Sequence, residues 1–235
     1  MDTRTLLLEI YQRLLNSYGP RHWWPAETIF EVVIGAILTQ NVAWKNVETA
    51  IENLKRENRM SFEALASISH QELADLIRST RYYNQKAARL QEFARLILVE
   101  YDGKLENLFQ PGVPELRKRL LDIRGIGKET ADSIILYAAQ KPIFVVDAYT
   151  RRTFSRIGLL PMDATYEAMQ DLFANHLDED LYMFQEYHAQ IVGHGNRVCL
   201  ARRPRCFECP LGEYCRKEGD LIGSLCCDEP SSLPD

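Results

Sequence analysis

Long apolar runs are missing from this sequence, and so is any clean alternation of polar and apolar residues. The first absence argues against a membrane-spanning helix, which needs roughly 20 consecutive apolar residues. The second argues against sheets, because half-buried strands repeat every two residues. Segments such as FVVD (144–147) and RVCL are too short to argue for one. There is no internal repeat and no low-complexity linker. A positive charge excess is also absent: 28 Lys and Arg against 33 Asp and Glu leave a net charge of −5, which does not advertise a nucleic-acid binder. None of the five histidines has metal-ligand spacing. No signal peptide is expected, since Asp2, Arg4 and Glu9 interrupt any apolar N-terminal segment. A cytosolic setting is therefore expected, where structural disulfides are rare, so a cluster of four cysteines should hold metal.

What is present is helical periodicity. LLLEIYQRLL, FEVVIGAIL, VETAIENL, RLQEFARLILVEY and TADSIILYAA all carry apolar residues at helical spacing. The 235 residues suffice for one large domain or two small ones. The fold class that follows is all-α. Breaks fall at Pro20 to Pro25, Arg56 to Ser61, Gln110 to Pro114, Lys141-Pro142 and Pro161 to Thr165. Ser61 with Glu63 and Ser69 with Glu72 are expected helix starts, the second at capping-box spacing. Residues 218–235 lack periodicity and are expected to form a loose acidic tail, in which Cys226 and Cys227 are incidental.

Basic residues are segregated despite the acidic total. Arg117, Lys118, Arg119, Arg124, Lys128, Lys141, Arg151, Arg152 and Arg156 crowd one stretch, and Arg197, Arg202, Arg203, Arg205, Arg216 and Lys217 another. Such segregation can make a binding face on an acidic protein, although charge alone fits a solvated surface equally well. The stretch CLARRPRCFECPLGEYC places Cys199, Cys206, Cys209 and Cys215 in a C-x6-C-x2-C-x5-C pattern. Four thiolates so close make a tetrahedral zinc site or an iron–sulfur cluster. Zinc modules usually pair two CxxC knuckles, and one is present here, at Cys206 and Cys209, so spacing favours the cluster. Arg202, Arg203 and Arg205 cannot bind metal, and their guanidinium groups suit phosphate contact.

Residues 120–131, LLDIRGIGKETA, read as a tight turn between two helices. Gly125 and Gly127 flank one aliphatic residue, and the helix that follows, over roughly Glu129 to Gln140, offers unpaired backbone N–H groups. With Arg124 and Lys128 beside it, that turn would grip a DNA phosphate without reading sequence. Further on, Asp147 follows four apolar residues and precedes a new helical stretch. A helix N-cap is its ordinary reading, and a carboxylate set over a phosphodiester is the functional one.

Hairpin, following helix, aspartate and four-cysteine loop together resemble the helix–hairpin–helix DNA glycosylases of the endonuclease III superfamily, over nearly the whole chain from FEVVIGAILTQN through YYNQKAARL to Cys215. The resemblance implies two helical domains with the active site in the cleft between them. It places a six-helix domain with the hairpin at residues 26–139 and an iron–sulfur domain at 1–25 and 140–217. It implies a [4Fe-4S] cluster on Cys199, Cys206, Cys209 and Cys215, and Asp147 as the catalytic residue. Val145-Val146 replace the family's usual small residue and proline. Where bifunctional relatives carry the lyase lysine, this chain has Glu129, which cannot form a Schiff base. Lys128, on another helical face, does not replace it. A monofunctional glycosylase of base excision repair is expected.

The stretch RHWWPAETIFEVVIGAILTQNVAWKNV is similar to the third type of 3-methyladenine DNA glycosylases, as are GIGKE and YNQKA. That type can lack the iron–sulfur loop that is present here. By this likeness Trp23, Trp24, Pro25 and Trp44 line the base pocket, though core packing is the ordinary reading of a tryptophan pair. An N3-alkylated purine is cationic and already a good leaving group, and a flipped cation between aromatic rings gains about 0.5 to 2 kcal/mol per favourable contact. Gln40, Asn41 and Tyr82 lie where relatives place residues that fill the gap in the duplex, while Tyr83, Asn84 and Lys86 read as structural. His188 and His194 are expected to satisfy local hydrogen bonds. The expected partner is double-stranded DNA with a damaged base, bound by a monomer in the nucleoid of a bacterial or archaeal cytosol, with no membrane partner. The alternatives are an endonuclease III-like enzyme for oxidised pyrimidines, a glycosylase for mismatched adenine, and a non-enzymatic DNA-binding module. Glu129 and the tryptophan pair oppose the first, the short chain beyond Cys215 the second, and Asp147 the third.

Overall fold

The computed structural model describes residues 1–215; Arg216, Lys217, Cys226, Cys227 and the expected tail lie outside the described residues. Twelve α-helices and no strand occur among the described residues. In chain order they begin with α1 (Thr3–Tyr18), α2 (Ile29–Leu38), α3 (Trp44–Arg56), α4 (Phe62–Ser67), α5 (His70–Leu76) and α6 (Tyr83–Glu100). They continue with α7 (Leu105–Phe109), α8 (Val113–Asp122), α9 (Lys128–Ser133), α10 (Ala148–Ile157), α11 (Tyr166–Ala174) and α12 (Leu181–Arg197). No helix of the described residues is long and apolar enough to cross a membrane.

The chain divides into two compact units, one of Met1–Trp23 with the described residues from Phe144 onward, the other Trp24–Ile143. The division falls inside the WWP segment, so Trp23 and Trp24 belong to different units. In the second unit α2 is buried on every side from Glu31 to Leu38, as its unbroken apolar run requires. Around it Phe62 of α4 meets Phe30 and Phe93, at 4.8 and 6.0 Å between ring centroids. Ser61 caps α4 by accepting from the Ala64 N–H, and Ser69 with Glu72 closes a reciprocal capping box on α5. Both starts were legible as polar residues ahead of an apolar face.

The first unit is centred on an aromatic cluster. Phe144 stacks on Phe173 at 3.8 Å with an interplanar angle of 5°, and Phe184 and Tyr187 meet Phe144 edge-on. Tyr187 is fully buried, and its hydroxyl is satisfied by donating to the Leu7 carbonyl at 2.8 Å, which ties α12 to α1. Residues 142–147 lead into α10 without regular secondary structure.

The helix expected over roughly Glu129 to Gln140 is not one regular α-helix. After α9 the residues Ile134–Ala138 form a π-helical turn, with the Ala139 N–H reaching back to the Ile134 carbonyl at 2.9 Å. Such turns insert a residue and rotate the following side chains relative to an ideal helix. Residue spacing carries no mark of it.

Candidate active site

The hairpin is built by α8, the turn Ile123–Gly127 and α9, and an internal ion pair closes it. Arg117 of α8 donates from Nε and Nη2 to the two carboxylate oxygens of Asp132 of α9, at 2.7 and 3.2 Å, and Asp132 is fully buried. The two glycines differ. Gly125 has φ +87°, a left-handed conformation that a side chain resists. Gly127 is the extended N-cap of α9 with φ −91°, and a Cβ there would meet nothing within 4 Å. A Cβ on Gly125 would lie 2.5 Å from both Cδ and Nε of Arg89. The Arg89 side chain thus lies across the turn, and Arg89 donates to the Gln40 side-chain oxygen at 2.7 Å. Gln40 in turn donates to the Gly125 carbonyl at 3.0 Å and the Thr130 hydroxyl at 3.2 Å. The Gln40 amide is thereby committed to the hairpin, whereas its neighbour Asn41 is exposed in a left-handed conformation. Arg124, Lys128 and Glu129 are exposed around the turn.

A second loop of the same unit has two consecutive non-glycine residues at positive φ, Arg81 (57°) and Tyr82 (47°), and Tyr82 is 56 % exposed. Strain of this kind costs of order 1–3 kcal/mol and persists where surroundings enforce it. The enforcing group is Lys86. Its buried ammonium donates to the carbonyls of Thr80 and Leu38, at 2.5 and 2.8 Å, and so clamps the starts of the Tyr82 loop and the Gln40–Asn41 loop together. Burial, with the Arg89 charge nearby, pushes Lys86 down to about 8.

Trp24 meets Trp44 of α3 edge-on at 5.2 Å and Tyr137, carried on the π turn, at 5.3 Å. Gly35 of α2 permits this approach: a Cβ there would lie 3.3 Å from the Trp24 ring nitrogen and 3.5 Å from Trp44. Trp44 donates its ring N–H to Glu48 at 2.7 Å. Both rings are half-buried, and Pro25 is exposed. Trp23 belongs to the other unit. Sequence reasoning missed Tyr137 and Gly35, which resemble ordinary helix residues until the π turn and the close ring contact are seen.

In the first unit Asp147 is the N-cap of α10, buried to 9 % exposure. Its Oδ1 accepts from the Thr150 N–H at 2.8 Å and the Thr150 hydroxyl at 3.0 Å, and its own N–H donates to that hydroxyl at 3.2 Å. Oδ2 stands 3.8 Å from Nε2 of His188 on α12. Burial alone would raise the carboxyl pKa, but His188 and the Thr150 hydrogen bonds outweigh it and hold the group below its ordinary value. His188, read from sequence as a local hydrogen-bonding residue, is thus placed beside this carboxylate.

Near the end of the described residues, Cys199 is buried, and Cys206 and Cys209 bracket a 3₁₀ turn, with the Cys209 N–H on the Cys206 carbonyl at 3.2 Å. Arg156 donates to the Cys199 sulfur at 3.0 Å, and Arg152 to the Cys199 carbonyl at 2.6 Å. Among the described residues no three His, Cys, Asp or Glu side chains converge on one point as ligands of a single ion would. Arg202, Arg203 and Arg205 are exposed in this loop, as is Phe207. Of the basic residues singled out in the sequence, Arg117, Lys141, Arg152 and Arg156 serve internal acceptors, while Arg124, Lys128 and the three loop arginines are exposed, Arg124 standing 3.8 Å from Glu92.

A helix–hairpin–helix unit, a buried N-cap aspartate and a cysteine loop on an all-α scaffold define a class, and comparison with known proteins gives it a name. Residues 34–178 match the HhH-GPD superfamily of base excision DNA repair proteins, and the chain belongs to that superfamily. It is 45 % identical over 212 residues to a protein of Methanocaldococcus jannaschii provisionally named a DNA repair glycosylase, covering 89 % of this chain and 96 % of that protein. It is 31 % identical to the endonuclease III of Thermotoga maritima, covering 79 % of this chain and 82 % of the other. Among solved structures, an H. pylori 3-methyladenine DNA glycosylase bound to 1,N6-ethenoadenine is similar, with a TM-score of 0.70 and 29 % identity, covering 84 % of this chain and 98 % of that one.

Proposed function

We propose that this protein is a monofunctional DNA glycosylase that removes alkylated purines, 3-methyladenine foremost, acting as a monomer on double-stranded DNA. The observation that carries the reading is the Trp24–Trp44–Tyr137 cluster held open by Gly35. Electron-rich ring faces on a half-buried wall favour a flipped cationic base over a neutral one. The likeness to the H. pylori enzyme supports the same substrate class. Asp147, ionised and with Oδ2 outside its capping bonds, stabilises positive charge developing on the sugar as the base leaves and orients the attacking water. Glu129 at the lysine position of bifunctional relatives leaves no amine there to attack the sugar, so the strand is not cut.

In this reading Gly125, Gly127, Arg124 and Lys128 grip phosphate. Arg202, Arg203 and Arg205 add contacts from the cysteine loop, and Asn41 and Tyr82 fill the space the base vacates. Gln40 supports that action from the hairpin rather than entering the duplex. Cys199, Cys206, Cys209 and Cys215 would hold a [4Fe-4S] cluster. A four-thiol donor set with a guanidinium on one sulfur fits it, and ligands to separate irons need not converge on one point. When bound, that group would fix the arginine loop.

The test is release of free bases from methylated duplex DNA by wild type and Asp147→Asn, with borohydride trapping in parallel. Released 3-methyladenine that disappears in the variant, with no trapped adduct, is expected. A trapped adduct, or release of oxidised pyrimidines instead, would point to the second reading, an endonuclease III-like enzyme, which the 31 % identity to the Thermotoga protein favours.

A further inference from the structure

We infer that His188 is a positioning residue for the glycosylase reaction: from α12 its imidazole fixes the oxygen of Asp147 that the N-cap leaves uncommitted. The inference rests on the reading of Asp147 as the catalytic carboxylate. Asp147 divides its two oxygens between two tasks. Oδ1 is consumed by the Thr150 N–H and hydroxyl. Oδ2 faces His188 Nε2 at 3.8 Å, within ion-pair range and beyond a direct hydrogen bond. Both side chains are more than nine-tenths buried, so the electrostatic interaction between them is poorly screened by water.

The surroundings make His188 the group that matters. From α10 the facing residue is Thr150, which does not titrate. On α12, within two residues of His188, Glu186 accepts from the Arg21 N–H, Tyr187 donates to the Leu7 carbonyl, and Gln190 bonds Glu186 and the Gly19 carbonyl. His188 is an ionisable group that acts on the Asp147 carboxyl and lowers its pKa. Burial opposes the carboxylate, while His188 and the two Thr150 hydrogen bonds oppose burial, so deleting the imidazole shifts the balance toward burial. The consequence is directional: without His188 the carboxylate takes up a proton at a higher pH, and the reaction loses rate at the acid end first.

The experiment is single-turnover release of 3-methyladenine across pH 5 to 9 by wild type, His188→Gln and His188→Lys, with melting temperature and duplex affinity measured alongside. The substrate base carries a fixed cationic charge and does not titrate in this range, so the acid limb reports the enzyme. For His188→Gln we expect a loss of about tenfold at the acid end, less than twofold at pH 8, and unchanged duplex affinity. His188→Lys restores a positive charge and is expected to follow wild type at the acid end. A profile for His188→Gln that parallels wild type overturns the inference, as does a uniform loss at every pH that lysine does not rescue. Should His188→Gln not fold, His188→Lys decides, because an acid limb displaced upward despite its charge overturns the proposal. Should wild type release no alkylated base, the functional reading fails separately. Carbon-13 NMR titration of the Asp147 carboxyl in wild type and His188→Gln then tests the pair, and coincident curves refute it.

Discussion

Gly125→Ala and Gly127→Ala should behave as opposites although both remove a glycine from the same turn. At Gly125 the backbone stands at φ +87°, where a Cβ costs about 1–2 kcal/mol. The new Cβ would also come within 2.5 Å of the middle of the Arg89 side chain, which must leave. With it goes the charged hydrogen bond to Gln40, worth about 1.5–3 kcal/mol when buried and less here, where Arg89 is half-buried. The combined loss is about 2–4 kcal/mol, or roughly 5–12 °C in melting temperature for a unit of this size. At Gly127 the backbone is extended and the space is open, so alanine is neutral or stabilises by about 0.4–1 kcal/mol. Urea unfolding followed by circular dichroism reads both. Because Gly127 lies at the exposed tip of the turn, its alanine variant should still lose duplex affinity by crowding the phosphate. Equal destabilisation by the two substitutions would refute this account of the turn.

Asp147→Asn should lower base release by about 10²–10⁴-fold at neutral pH. Because the folded pKa of Asp147 lies below its unfolded value, its stabilisation is present above about pH 4 and is lost as pH falls through the folded value. Thermal melts should therefore separate wild type from the variant near neutrality and converge in acid. Lys86→Met should cost about 2–4 kcal/mol by leaving the Leu38 and Thr80 carbonyls unpaired. With Lys86 near 8 when folded and about 10.4 when unfolded, the unfolded chain holds more protons between those values. Wild-type stability should then gain from this group as pH rises from 8 to 10, a slope absent in the variant when both are compared by urea titration. Glu129→Lys should yield a borohydride-trapped adduct with abasic DNA where wild type gives none; continued absence would mean that the position does not address the sugar. Cys209→Ser should remove iron-dependent visible absorbance and weaken duplex affinity, and unaltered absorbance would exclude Cys209 as a ligand.

Helix content, helix starts and the cysteine quartet were decided locally. The Ser61 and Ser69 caps and the apolar run of α2 each follow from residues within a few positions of one another, because capping and amphipathicity are short-range. The N-cap role of Asp147 was legible for the same reason. Other features needed residues distant in sequence. Charge segregation could not tell Arg117, turned onto buried Asp132, from Arg124, exposed at the turn, because a guanidinium reads alike wherever its partner lies. The adjacent tryptophans look equivalent, yet the division between the two units falls between them and Trp24 joins Trp44 and Tyr137. Tyr137 faces Trp24 from a π turn that leaves no periodic trace. Gln40 and Arg89, 49 residues apart, lock the hairpin turn, and His188 comes to Asp147 from a helix that begins more than 30 residues later. The sequence by itself determined which segments are helical and which residue types are available for chemistry. Only tertiary packing decided which oxygen of Asp147 is uncommitted and which charges are spent internally, since those depend on burial and on partners that chain order does not specify.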